Sequence, residues 1–273
     1  MEVQSNQPTT GMFYAKNSSV QHDLGVEFIH HVLEPQAGQS ILDLGCGTGQ
    51  LAMLLATLVG TTGRVLAVDP DQSRISIAKK TAVQSKLDNI TVVHGDIYSV
   101  SSLGPFDSVF TNFVLHWVSE AELSHTLVML HKCLAPGGHV AGIITLTPGR
   151  MVKLLADKLN GQGTEEASGM LVRTADFWKN LFLKTGFEIN YFHEREEKHS
   201  FSNVRAFFDC IKAFTNSKLD ATSLDDQAIK QLLKEEDLNN RVGQTYHSRP
   251  TLLKIRISKP RLENVTDMED GNK

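Results

Sequence analysis

The chain has 273 residues, 41% of them hydrophobic, and a formal net charge of −4 at pH 7. That length allows one large domain or a domain with an appended subdomain, with apolar material enough for a core. The acidic balance, with Lys79-Lys80 as the longest purely basic run, argues against a broad phosphate-binding face, so no nucleic acid partner is expected.

Residues 1–17 read as a polar segment without hydrophobic period. Apolar residues at 20, 24, 28 and 32 then draw a helical stripe that stops near Pro35 and Gly38. An apolar strand at 40–44 runs into a loop with glycine at every second position, Gly45, Gly47 and Gly49. A helix starts at once, with Leu51, Leu54, Leu55 and Leu58 at i, i+3, i+4 and i+7. Glycine lacks a Cβ, so such a loop can take unusual φ/ψ angles and approach a ligand closely. A second strand, Arg64–Asp69, ends on an acid, and Asp71 is placed to cap a helix reaching Lys86. The third strand, Ile90–His94, ends at Gly95-Asp96, and the fourth is Phe106–Thr111. Ser119 and Glu122 have capping-box spacing ahead of a stripe at Leu123, Leu127, Leu130 and Leu134. Pro136-Gly137-Gly138 stops that helix before a fifth strand, His139–Leu146. Further on come a surface loop at 160–169, a helix at Thr174–Thr185 closed by Gly186 and a strand at Phe187–His193. Helical patterns at about 203–216 and 224–236, a last strand at Thr251–Ile257 and a polar tail at 261–273 complete the chain.

Cys46, Cys133 and Cys210 form no C-x-x-C, and His30-His31 has no carboxylate or cysteine at ligand spacing. No metal site is therefore expected, and the cysteine usage suits a reducing compartment. The first residues lack the charged and apolar regions of a secretory signal. The most apolar run, 51–59, falls well short of the roughly 20 residues a membrane span needs. The expectation is a cytoplasmic protein without a membrane span.

Strands alternating with helices imply a doubly wound, parallel α/β sheet, in which ligands bind beyond the carboxyl ends of the strands. Asp43, Asp69 and Asp96 all fall at those ends. Gly47-Thr48-Gly49-Gln50-Leu51-Ala52 does match the dinucleotide pattern G-x-G-x-x-A. A carboxylate two residues before the first glycine, however, would repel a pyrophosphate. A cofactor with a cationic amino-acid end and no phosphate fits the acids better.

The run Asp43-Leu44-Gly45-Cys46-Gly47-Thr48-Gly49 resembles the first motif of class I S-adenosylmethionine-dependent methyltransferases. Asp69, Gly95-Asp96 and Leu134-Ala135-Pro136-Gly137-Gly138 resemble later landmarks of that family in their order, with Ala135 where the family often has lysine. The likeness is close over 20–146 and looser to about 258. It implies a mainly parallel seven-stranded sheet with a small helical insertion before the last strand. The implied division is an N-terminal segment 1–19 closing over the cofactor site, a methyl-donor core 20–146, a remainder 147–258 with a substrate-covering insertion at about 203–245, and a polar tail 259–273. The implied cofactor is S-adenosyl-L-methionine. By this resemblance Gly45, Gly47 and Gly49 let the loop pass under it, and Asp43 holds its methionine end. Asp69 takes the ribose hydroxyls, Asp96 the adenine amine and the Ile97 amide a ring nitrogen, while the Asn112 carbonyl lies near the methyl donor.

Asn112-Phe113-Val114-Leu115-His116-Trp117-Val118 resembles the L-H-W stretch of trans-aconitate and juvenile hormone acid methyltransferases, which make methyl esters of carboxylic acids. Tyr14 to Gln21, Lys184-Thr185-Gly186-Phe187-Glu188 and Phe201-Ser202-Asn203 are similar to segments of the hormone-acid group. The resemblance implies that Gln21 and Trp117 orient a carboxylate, with His116 as a third donor. A carboxylate is already ionised at pH 7, so in-line methyl transfer needs alignment more than a base. The expected partner is a small-molecule acceptor, a small or lipophilic carboxylic acid, bound by a monomer or homodimer. One edge of the aromatic helix Phe201, Phe207, Phe208, Ile211 and Phe214 could line its pocket. Transfer to nitrogen or carbon with His116 as base, a non-catalytic methyltransferase-fold protein and a nicotinamide enzyme are the alternatives. Gln21, His116 and Trp117 also have plain structural readings, as a polar helix residue and two core residues, and 147–175 resembles nothing recognised.

Overall fold

A computed structural model describes residues 10–160, 168–225, 227–232, 234, 241–242 and 245–261. Two helices come first, α1 (Thr10–Asn17) and α2 (Ser19–Phe28), the second continuing into a π turn at Ile29–Leu33. Then follow β1 (Ser40–Leu44), α3 (Gln50–Val59), β2 (Arg64–Asp69), α4 (Gln72–Ser85), β3 (Ile90–His94), the single-turn α5 (Ile97–Val100) and β4 (Phe106–Asn112). The chain goes on through α6 (Glu120–Cys133), β5 (Leu134–Thr147), α7 (Arg150–Asn160), α8 (Ala175–Lys184) and β6 (Glu188–Glu196). It closes with β7 (His199–Phe201), α9 (Val204–Phe214), β8 (Arg241–Val242), β9 (Thr245–Ser248) and β10 (Thr251–Ser258).

Seven strands form one sheet in the order β3-β2-β1-β4-β5-β10-β6. Neighbours among β1 to β5 run parallel, whereas β10 is antiparallel to both β5 and β6. The doubly wound, mainly parallel sheet expected from the sequence is therefore present. Its order reverses at β1, which lies between β2 and β4, and the crevice outside that reversal is the natural ligand site.

Helices cover both faces of the sheet. On one face Leu24 and Phe28 of α2 and Ala52, Leu55, Ala56 and Val59 of α3 pack with Ile41, Phe110, Ile143 and Leu252. On the other, Leu123, Leu127 and Leu130 of α6 and Trp178 and Phe182 of α8 pack with Leu42, Val109 and Ile144. Adjacent residues of one strand thus go to opposite layers, as the two-residue strand period requires. Because both faces are covered, β1 is buried from Ile41 to Leu44, the continuous apolar run typical of a parallel strand. Each fully buried Leu contributes about 1.5–3 kcal/mol. A third cluster joins Met151 and Leu155 of α7 with Phe207, Phe208 and Ile211 of α9, a core apart from the two sheet layers.

Caps set several boundaries. Asp71, as expected from its position, accepts from the backbone N–H groups of Ser73 and Arg74 at the start of α4, and Thr174 accepts from Phe177 N–H at the start of α8. At α6 the outcome differs. Ser119 Oγ donates to Glu122 Oε2 at 2.7 Å and makes no bond to the backbone.

Four elements go beyond the sequence reading. Residues 10–17 form a helix, held from outside by Ser73 Oγ, which bonds Thr10 Oγ1 at 3.0 Å and accepts from Gly11 N–H at 2.9 Å. β5 begins at Leu134 because the Pro136-Gly137-Gly138 stop is absorbed as a bulge between the pairs Phe106–Leu134 and Ser108–His139. β6 extends to Glu196, paired along its length with β10. The insertion carries a second, antiparallel sheet, β7-β9-β8, in addition to its helix. The helical reading of 224–236 is met at 227–232 and 234, and the readings for 1–9, 161–167, 226, 233, 235–236 and 262–273 fall outside the described residues. Among the described residues no helix is long and apolar enough to cross a membrane.

Candidate active site

The glycine loop leaves β1 and hooks onto β2. The N–H groups of Gly45 and Cys46 both donate to the Val68 carbonyl, at 2.8 and 2.9 Å. Gly45 adopts φ +77°, and a Cβ there would run into the Val114 side chain. Gly49 caps α3 at φ +84°, where a Cβ would lie 2.9 Å from that of Ala78. Both positions demand a left-handed backbone and a bare α-carbon. Gly47 shares the conformation (φ +57°), with the Tyr14 ring directly above it.

Asp69, at the end of β2, is buried and held by two backbone donors. Gly47 N–H donates to Oδ2 at 2.9 Å and Asp71 N–H to Oδ1 at 2.8 Å. Each oxygen keeps a further acceptor position, and the residue lines a cavity of about 590 Å³ at the carboxyl edge of the sheet. Burial raises its pKa, opposed by the Asp71 N–H, the Arg74 charge and the Gly47 N–H. The result is a fixed carboxylate that presents two acceptors side by side, the geometry a vicinal diol requires.

Asp43, Gln21 and Asn112 line a polar annex of this cavity beside Gly45 and Cys46. Among the described residues, Asp43 Oδ2, Gln21 Oε1 and Asn112 Oδ1 are all buried acceptors without a hydrogen-bond partner. Asn112 is oriented by its own Nδ2, which donates to the Gln21 carbonyl at 2.9 Å. Burial first, and the Asp69 charge second, push the Asp43 pKa up to about 8. Unpaired buried acceptors are costly, and here three of them, one an acid, surround a single pocket. An ammonium, with three N–H donors and a positive charge, would satisfy them together. The residues present therefore fit a cofactor with a cationic amino-acid end, and Asp69 fits its ribose.

α1 roofs the cavity. Phe13 and Tyr14 line it, with the Arg74 guanidinium 4.1 Å from the Tyr14 ring centroid and Lys212 Nζ 5.0 Å from that of Phe13. Arg74 also donates to Asn216 Oδ1, beyond the end of α9. Burial raises the Tyr14 pKa. Phe13, Arg74 and Asn216 were not recognised as site residues in the sequence, because each sits in an ordinary helical or polar context and becomes a neighbour only through tertiary packing.

Next to the cofactor cavity, and sharing Gln21, Phe113 and Phe214 with it, lies an apolar pocket walled by Val152, Phe201, Phe207, Ile211 and Leu252. Trp117 lines the cofactor cavity, 6.4 Å from the Phe214 ring. His116 lies behind these rings, fully buried and outside the cavity lining. Its Nδ1 accepts from Thr145 N–H at 3.2 Å, and burial pushes its pKa down to about 3. The ring is neutral with its lone pair engaged, so the proton resides on Nε2. Asp96 and Ile97 also stand apart from the cavity lining. Asp96 Oδ1 accepts from Ser99 N–H at 3.0 Å to cap α5, and Ile97 is buried in the core. The fold thus gathers Gln21, Asp43, Gly45, Asp69, Asn112 and Trp117 around two adjoining cavities that share Gln21, Gly45 and Asn112.

Residues 41–138 match the model of a family described as a methyltransferase domain. Fold, loop and match together define a class I S-adenosylmethionine-dependent methyltransferase, and its cofactor is S-adenosyl-L-methionine. The chain is 29% identical over 171 residues to a demethylmenaquinone methyltransferase of Oceanobacillus iheyensis, covering 56% of this chain and 71% of that protein. To a malonyl-[acyl-carrier protein] O-methyltransferase of Paenibacillus sp. it is 24% identical over 247 residues, covering 86% and 88%. The fold is that of the YcgJ protein of Bacillus subtilis, with a TM-score of 0.59 at 15% identity over 88% of this chain and 99% of that one.

Proposed function

We propose that this enzyme methylates a carboxylate oxygen of a small molecule, giving a methyl ester. The observation that carries this reading is the position of Gln21. Its buried side chain lines the polar annex beside Asp43, the cofactor cavity and the apolar pocket alike. A group held there stands between the cationic end of the cofactor and an apolar chamber.

Bound S-adenosylmethionine supplies a methyl group activated by its sulfonium and open to in-line attack. Gln21 Nε2 and Trp117 Nε1 are donors suited to a carboxylate and would hold one of its oxygens in line. The apolar wall strips water from the acceptor, which strengthens those bonds. Methyl transfer to an ionised carboxylate needs no proton acceptor, and that accords with a neutral His116 whose lone pair already receives Thr145 N–H. The same bond counts against His116 as the base for a nitrogen acceptor. The long alignment with an O-methyltransferase of a malonyl group, in which the free oxygen function is an acid, supports the reading.

The likeness to a demethylmenaquinone methyltransferase supports a second reading, carbon methylation of a hydroquinone-type ring in the apolar pocket. Incubation with methyl-labelled S-adenosylmethionine and a panel of small and lipophilic acids and hydroquinones separates the two. The first reading expects label released from an acid by mild alkali. Alkali-stable label on the ring compounds alone would replace it with the second.

A further inference from the structure

Thr145 is fully buried, and its Oγ1 has no hydrogen-bond partner among the described residues. Leaving a buried hydroxyl unpaired is costly, and replacing it with a methyl group of the same shape removes that cost. Thr145 lines the apolar pocket, the space that an acceptor molecule would fill. Ser108 Oγ and Thr111 Oγ1 are also unpaired, but they line none of the cavities described here.

The register fixes which way Thr145 faces. Asn112, the last residue of β4, pairs with Ile143, so Thr145 lies two residues further, past the carboxyl end of β4. Strand side chains alternate faces, so Thr145 shares a face with Ile143. Ile143 and Leu252 pack in the cluster of α2, with Leu24 and Phe28, and Thr145 pairs with Leu252 across β10. This is the face on which α2 presents Gln21. The Thr145 N–H already donates to His116 Nδ1, which anchors the residue and leaves only the hydroxyl free to turn.

We propose that Thr145 is a substrate-positioning residue, whose hydroxyl donates to the polar head of the acceptor opposite Gln21 and selects molecules with an oxygen anion at one end of an apolar body. This rests on the carboxylate reading above, and the two can fail separately.

The test compares wild type, Thr145→Val and Thr145→Ser. With a methylated acid as substrate, Thr145→Val should raise the acceptor KM about tenfold or more, the effect of losing a hydrogen bond to a charged group. It should change kcat less than threefold and leave S-adenosylhomocysteine affinity unchanged. Thr145→Ser should restore the KM, and the melting temperature of Thr145→Val should hold or rise, which separates lost recognition from lost packing. Decanoate titrated into the enzyme loaded with S-adenosylhomocysteine gives the same comparison without turnover. An acid-ester activity with equal KM in wild type and Thr145→Val, or decanoate affinity no tighter in wild type, would overturn the assignment of Thr145. Alkali-stable label would instead overturn the carboxylate reading, and a KM effect of Thr145→Val on that acceptor would keep the hydroxyl in its role.

Discussion

The two halves of the carboxyl edge are built in different ways. The half proposed for the cofactor centres on the loops that directly follow β1 and β2, with Gln21, Asn112 and α1 closing around them. Asp69 is fixed there by backbone donors only two and 22 positions away, Asp71 and Gly47. The acceptor half is assembled from α2, the ends of β4 and β5, α9 and Leu252, segments that meet only when the sheet is complete. Its lining residues are mostly apolar, and α9 within it belongs to a core apart from the two sheet layers. Backbone geometry fixes Asp69, whereas an apolar pocket lined by replaceable side chains can change without disturbing it.

The strongest way to break this contrast is at Asp69. Asp69→Ala removes the paired acceptors and strands two N–H groups, and S-adenosylhomocysteine affinity should fall on the order of 100-fold or more. Calorimetric titration checks this, and a change under fivefold would remove Asp69 from the cofactor site. Phe207 tests the independence of the other half. It is buried among Phe201, Phe208 and Tyr246, so Phe207→Ala should destabilise the insertion by about 3–5 kcal/mol. Hydrogen exchange should quicken in α9 and hold in α3, with cofactor affinity retained. Equal loss of protection in α3 would make the two halves one cooperative unit.

A smaller effect is expected at the junction. Gln21→Leu should lower kcat/KM for the acceptor about tenfold, from the loss of a hydrogen bond to a charged group, and leave the melting temperature within a few degrees. Unchanged turnover would place Gln21 in the scaffold alone.

The smallest is a proton count. The Asp43 pKa in the folded protein, about 8, lies above its ordinary 3.8. Folding therefore favours the protonated acid, and this contribution to stability is complete below about pH 4 and lost as pH rises towards 8. A cation beside Asp43 reverses the preference, so cofactor binding at pH 7 should release up to one proton. Titrations in buffers of different ionisation enthalpy measure it, and Asp43→Asn should abolish the release. An undiminished count in that variant would place the proton elsewhere.

Much of the cofactor half was legible in the sequence because each device is local. Gly45, Gly47 and Gly49 are spaced for a left-handed loop, Asp71 caps the helix that follows, and Asp69 ends its strand. Asp43 is expected at the methionine end from the motif, but its burial with Oδ2 unpaired among the described residues is not written in the motif. The acceptor half was less legible. Trp117 and Gln21 stood out through a resemblance, but nothing local indicated that His116 is sealed behind Phe113 and Phe214 with its lone pair engaged. The three residues of β7 have no period to read, and His199 finds Ser248 only across the whole insertion. α1 has no apolar stripe because it is tied down by Ser73 and by two cations against its rings.

The sequence by itself determined the chain order of the seven strands of the main sheet, the glycine loop with its acids and the donor that such a loop suits. All of these depend on contacts within a few residues, where spacing and chemistry can be read directly. Tertiary structure alone decided that Gln21, Thr145 and Phe214, drawn from three distant segments, share one pocket. Side chains that meet across a sheet leave no spacing in the chain, because only the folded register brings them together.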